Sequence, residues 1–144
     1  MKQVVVDTSV IIAIITDEPP KNTLIRLTEG VSLVAPPSLN WEVGNALIKM
    51  LRRNTKTWAE VLTALQNYSQ IPIFLLPIEL NDALQIGNIL NKQLNYYPSP
   101  YAYDLYFIHC ALKYQLPLIT LDKHLAFVAK QMGVTVIEVR TPWQ

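Results

Sequence analysis

Of the 11 acidic residues in this 144-residue chain, three aspartates share an uncommon position: Asp7, Asp104 and Asp122 each stand at the entrance to an apolar helical pattern. Asp7 directly follows the β-branched run Val4-Val5-Val6, and Asp122 directly follows Leu118-Ile119-Thr120-Leu121. In parallel sheets a ligand crevice forms beyond the carboxyl ends of the strands, where these two side chains would fall. Each aspartate alone also fits an ordinary helix N-cap, a role this residue type favours. Asp104 is more informative. At about 100° per residue it shares a side with Phe107, Ile108 and Ala111, whereas His109 and Lys113 point away. A carboxylate turned inward on a first helical turn needs something to offset its loss of water: capping, the helix dipole or a cation.

The fourth candidate is Glu42, on a helical pattern whose polar stripe gathers Glu42, Asn45, Lys49, Arg52 and Arg53 opposite Val43, Leu47 and Leu51. A solvated face with Glu42 paired to Asn45 or Lys49 would explain it without any site. Gly44, within the apolar side, is expected to let this helix approach the sheet closely. If the four carboxylates converged, each pair of charges ~4 Å apart would cost about 4 kcal/mol at an effective dielectric of 20, so a cation or raised pKa values would have to relieve the repulsion. The chain has one cysteine and two histidines. His109 and His124 lie on different helices and are expected to be surface or packing residues. The available donor set is therefore all oxygen, which favours Mg²⁺ or Mn²⁺ over zinc.

The elements that must position these groups alternate along the whole chain. Strands are predicted at Gln3–Val6, Val31–Ala35, Ile73–Leu76, Pro117–Leu121 and Val134–Val139. Helices are predicted at Val10–Thr16, Lys21–Glu29, Leu39–Arg53, Trp58–Ser69, Asn81–Asn95, Asp104–Tyr114 and Lys123–Met132. This alternation predicts an α/β domain with a parallel sheet covered on both faces. Thr57-Trp58-Ala59-Glu60 has the spacing of a capping box, and Pro36-Pro37-Ser38 ends one strand and launches the next helix. No repeat or linker interrupts residues 1–144, so one domain is expected.

Hydrophobic residues make up 51% of the chain and charged residues only 16%, which excludes a disordered or tail-bearing protein. The longest unbroken apolar run, Val10 to Ile15, falls far short of the ~20 residues of a membrane-spanning helix. A cytoplasmic protein with no membrane association is expected, with the single Cys110 in the core and no disulfide. A net charge of +1 provides no bulk attraction for nucleic acid, so any such binding must come from local patches. The apolar surplus suggests that part of the surface is covered in an oligomer or by a partner.

Taken together, four stretches resemble a PIN domain, specifically the short VapC-type ribonuclease toxins of bacterial and archaeal toxin–antitoxin pairs. They are Val4-Val5-Val6-Asp7-Thr8-Ser9; Glu42 within Asn40 to Leu47; Tyr103-Asp104-Leu105 leading to Ala111-Leu112; and Leu118-Ile119-Thr120-Leu121-Asp122. The resemblance implies a three-layer sandwich around a central, mostly parallel five-stranded sheet, with the first strand flanked by the second and fourth. It implies an acidic catalytic quartet of Asp7, Glu42, Asp104 and Asp122, with Asp7, Asp104 and Asp122 as metal ligands and Ser9 and Thr120 as polar helpers. It further implies an Mg²⁺- or Mn²⁺-dependent endoribonuclease acting by in-line hydrolysis of a phosphodiester, usually a homodimer, silenced by an antitoxin protein.

RNA contacts are expected from the basic stripe of Lys49, Arg52, Arg53 and Lys56, for which a plain solvated face is the alternative. Tyr97 and Tyr101, in the aromatic segment before Asp104, could stack on splayed bases, with packing or dimer contact as the alternative. A phospho-accepting signalling domain would need adjacent acids after the first strand and an aspartate after the third, where the chain reads Asp7-Thr8 and Pro77-Ile78. A haloacid-dehalogenase-like phosphatase would need an aspartate at the position of Ser9. The remaining rival is a non-catalytic PIN-like module that binds RNA or protein.

Overall fold

A computed structural model describes residues 2–93 and 102–140. Five strands, β1 (Lys2–Val6), β2 (Val31–Ala35), β3 (Ile73–Leu75), β4 (Leu118–Ile119) and β5 (Val136–Ile137), form one sheet in the order β3-β2-β1-β4-β5. Every neighbouring pair is parallel. Seven helices accompany them: α1 (Thr8–Ile15), α2 (Lys21–Leu27), α3 (Leu39–Arg52), α4 (Trp58–Gln70), α5 (Leu80–Gln93), α6 (Ala102–Tyr114) and α7 (Lys123–Gln131). The predicted α/β class and the central position of β1 between β2 and β4 are borne out.

Side chains on successive strand residues face opposite sides of a sheet. The consecutive Val4, Val5 and Val6 are all buried, at 1%, 0% and 0% exposure, so β1 is covered on both faces, as a three-layer architecture requires. The chain runs outward from β1 through β2 to β3, then returns to the other side of β1 to build β4 and β5. That reversal opens a crevice at the carboxyl ends of β1 and β4, the general location of ligand sites in open parallel sheets. Asp7 and Asp122 follow those two strand ends.

The structure corrects several boundaries and contacts. β4 and β5 are shorter than the predicted Pro117–Leu121 and Val134–Val139. Beyond Ile119 the backbone leaves the ladder because side chains take over its hydrogen bonds: Leu121 N–H donates to Ser9 Oγ (3.0 Å) and Asp122 N–H to Thr120 Oγ1 (2.9 Å). His109, expected to point away from the core, is buried. The segment before α5 covers it, and its Nε2 accepts from the Glu79 backbone N–H at 3.3 Å. Gly44 is exposed, and a Cβ there would meet nothing within 4 Å; the close helix approach is at Gly87 of α5, where a Cβ would lie 2.9 Å from Leu105 Cδ1 of α6. The capping box at Thr57 is present, with Glu60 N–H donating to Thr57 Oγ1 (3.2 Å) and Thr57 N–H to Glu60 Oε1 (3.0 Å). Cys110 is buried and free. No helix among the described residues is long and apolar enough to cross a membrane.

Candidate active site

Asp7 is the most constrained of the four acids. It follows β1, serves as N-cap of α1 and is 4% exposed. Ser9 Oγ donates to its Oδ1 at 2.7 Å, the Val10 N–H to the same oxygen at 3.4 Å, and Thr120 Oγ1 to its Oδ2 at 2.8 Å. These donors favour the charged form, but burial outweighs them, and with a smaller contribution from the nearby Asp122 charge the carboxyl is pushed up to about 6. Ser9 and Thr120 are 3.4 Å apart, so the start of α1 and the end of β4 share one hydrogen-bonded knot around Asp7.

Asp122 closes the other side of this knot. It is exposed and caps α7, its Oδ1 accepting from the N–H groups of His124 (2.9 Å) and Leu125 (3.1 Å). The cap alternative weighed for Asp7 and Asp122 therefore holds for both, alongside their position at the crevice.

Glu42 lies in the first turn of α3 and is partly buried, not on a solvated face. Burial pushes its carboxyl up to about 8; the neighbouring Thr8 hydroxyl lowers it in part, and the charges of Asp7 and Asp104 raise it further. Glu42 Oε2 and Thr8 Oγ1 are both fully buried, and among the described residues neither has a partner in hydrogen-bonding geometry. The Thr8 hydroxyl is also the group that favours the Glu42 charge, so a small side-chain adjustment lets the two satisfy one another.

Asp104, in the first turn of α6, is partly buried. It lines a cavity of about 690 Å³ together with Thr8, Glu42, Asn45, Ala46, Lys49 and Tyr103. The four acids thus form a linked series: Asp122 acts on Asp7, and both Asp7 and Asp104 act on Glu42. Among the described residues, however, no three acidic, histidine or cysteine side chains are close enough to hold a single ion together. Repulsion among the acids contributes to the raised carboxyls of Asp7 and Glu42. The all-oxygen donor set and the unsatisfied Glu42 oxygen fit a hard divalent cation.

Of the basic stripe, Lys49 lines the cavity, whereas exposed Arg52 and Arg53 lie farther along α3 and do not. Lys56 is turned toward Glu60 on α4, 4.0 Å away. Tyr97 and Tyr101 lie outside the described residues. Sequence reasoning passed over Thr8 as a site residue, though it sits beside an acid already singled out; Tyr103 ends the aromatic segment expected near the site, and it lines the cavity. A second cleft, of about 350 Å³ between α7 and β5, includes Asp122 but none of the other three acids.

Residues 4–131 match the family model of the PIN domain. The chain belongs to the PIN domain family. By sequence, no curated protein matches it. Among solved structures, this PIN domain is similar to PAE2754 from Pyrobaculum aerophilum, with TM-score 0.67 and 21% identity over 94% of this chain and 83% of that one. It is also similar to a chain of VapBC2 from Rickettsia felis, solved bound to a DNA fragment from the promoter, with TM-score 0.65 and 11% identity over 94% of this chain and 97% of that one. A chain of FitAB bound to the IR36 DNA fragment gives TM-score 0.53 and 18% identity over 96% of this chain and 99% of that one. At these identities the likeness is one of fold, and it places the predicted resemblance on the PIN framework.

Proposed function

We propose that this PIN domain is a divalent-metal-dependent endoribonuclease and the toxin of a toxin–antitoxin pair. The observation that carries the reading is that Glu42 and Asp104 line one cavity with Thr8 and Lys49, with Glu42 under the charges of both Asp7 and Asp104. Membership of a nuclease family supports the reaction class. The fold shared with chains of VapBC2 and FitAB supports the antitoxin partner.

Asp7, Asp104 and Asp122 would hold Mg²⁺ or Mn²⁺, and Glu42 would complete the pocket. When bound, such an ion supplies polarisation of the phosphate and stabilisation of the leaving oxygen. The chain's own groups do the rest. Ser9 and Thr120 fix both oxygens of Asp7, so that carboxylate enters the reaction already oriented. Glu42, pushed up to about 8, exchanges a proton close to neutral pH, as a general base or acid should. In its ionised form it takes the proton of the attacking water at Oε2 while the new P–O bond forms and the P–O bond to the leaving oxygen breaks in line. Lys49, two turns along α3 from Glu42, holds a flanking phosphate.

The exposed apolar residues Trp58, Leu62 and Leu65, at 57%, 42% and 50%, support burial of part of the surface by a second copy or by the antitoxin. A cytoplasmic location is part of the same proposal. The second reading, a module that binds RNA or protein without cutting, draws on the absence of a three-ligand cluster among the described residues. The two separate in one experiment: a panel of structured and unstructured RNAs is incubated with Mg²⁺, Mn²⁺ or EDTA. The nuclease cuts in metal only, and Asp7→Asn or Asp104→Asn abolishes cutting while the circular dichroism spectrum is kept. Full activity in either variant removes the site, and RNA retained but never cut supports the binder.

A further inference from the structure

We infer that Tyr103 is the base-stacking residue of the acidic cavity, holding one base of the substrate on its ring while the adjoining phosphate lies at the acids; this rests on the ribonuclease reading above. Tyr103 and Asp104 are consecutive in the first turn of α6, and both line the 690 Å³ cavity. Their Cα atoms are about 3.8 Å apart, so a ring and a carboxylate stand within one nucleotide of each other.

The ring is braced without being buried. Tyr106, one helical turn later, packs against the core and meets Tyr103 edge to face, with centroids 5.8 Å apart and planes at 74°. Tyr103 remains 40% exposed. A core tyrosine would be covered, whereas a stacking platform needs a fixed ring with an open face. On the opposite wall, Ala46 takes up little space, Asn45 offers an amide donor and acceptor for a base edge, and Lys49 offers a cation for the next phosphate. The groups needed to hold one nucleotide thus surround the acids: an aromatic plane, an amide and a cation. A base inside a duplex is stacked on its neighbours and cannot reach the ring, so the arrangement selects loops, bulges or single strands.

The test uses the full chain and a single-stranded RNA oligonucleotide that it cleaves in Mn²⁺. Loss of one stacking contact is expected to raise KM roughly 5- to 150-fold in Tyr103→Ala. Tyr103→Phe, which keeps the ring, should behave as wild type, and the same RNA annealed to its complement should resist cleavage. Affinity is then read separately in the cleavage-inert Asp7→Asn background with oligonucleotides carrying one abasic position at a time. One position should weaken binding, and adding Tyr103→Ala should erase that dependence. Tyr103→Leu, which keeps an apolar contact with Tyr106, replaces the alanine variant if the latter melts early. An unchanged KM in Tyr103→Ala, an abasic scan that is flat or is unaltered by the alanine, or equal cutting of duplex overturns the assignment. If the wild type cuts no RNA, the ribonuclease reading is what fails, and the abasic scan still decides whether Tyr103 stacks.

Discussion

A divalent cation entering the carboxylate pocket must displace protons, and the pH dependence of its affinity follows from two side chains. A cation requires its ligand Asp7 to be deprotonated and, by its charge, drives the neighbouring Glu42 to lose its proton as well. With Glu42 near 8 and Asp7 near 6, about nine-tenths of Glu42 and about one-tenth of Asp7 are protonated at pH 7, so each bound ion releases about one proton. At pH 6 the release rises to about 1.5 protons, and at pH 8 it falls to about one-half. The apparent affinity should therefore weaken roughly fifteen- to twentyfold from pH 7 to pH 6 and tighten about sixfold from pH 7 to pH 8. Isothermal titration of Mn²⁺ into metal-free protein, repeated in buffers of different ionisation enthalpy, reads affinity and proton release together. In Glu42→Gln the release at pH 7 should drop to the roughly one-tenth contributed by Asp7. An affinity that stays flat from pH 6 to pH 8, or a proton release that Glu42→Gln leaves unchanged, would refute the assignment of these two groups to the ion.

Stability without metal should move the opposite way from that of most acid-sensitive proteins. Asp7 binds its proton more tightly when folded, so its contribution is fully present below pH 3.8, is lost as pH rises to about 6 and is level above; the loss is about 3 kcal/mol. Urea titrations in EDTA at pH 4 and pH 7 should show Asp7→Asn gaining on the wild type by about 2.4 kcal/mol between the two, and an equal gap at both pH values would contradict the buried carboxyl. Thr57→Ala removes the cap of α4, far from the acids, and should cost about 1 kcal/mol, or roughly 3 °C in Tm, with cleavage per folded molecule unchanged. Lys49→Ala should weaken RNA binding across all sequences and lower the slope of log affinity against log salt by about 0.7, whereas Arg52→Ala, outside the cavity, should do less.

The parts of the fold that were legible in the sequence are those that local pattern decides. Val4-Val5-Val6, the capping box at Thr57 and the alternation of strand and helix each carry their signal within a few residues. What escaped depends on groups distant in sequence. The helical wheel of α6 turns His109 outward, and only the packing of the α5 region against α6 buries it. Likewise, the run Pro117–Leu121 looks like a longer strand until Ser9, more than a hundred residues earlier, takes the Leu121 N–H. Glycine shows the same limit: Gly44 and Gly87 look alike in sequence, and only Leu105 distinguishes them.

At the site, the sequence posed a choice between helix capping and a functional role for the aspartates, and the geometry shows that the two are compatible. An ionised carboxylate has about four acceptor positions. Asp7 gives three to Ser9, Val10 and Thr120, and Asp122 gives two to the first turn of α7. Each keeps acceptor capacity, and the cap bonds hold that capacity in a fixed direction. Glu42 lies on α3 and Asp104 on α6, away from the ends of β1 and β4 in the chain. In the proposed nuclease, the pair fixed where β1 and β4 end would define where a cation enters, with Glu42 and Asp104 facing it from α3 and α6. Without a cation an ionised Glu42 only adds to the repulsion among these charges, so proton loss from Glu42 and cation entry are expected to occur together.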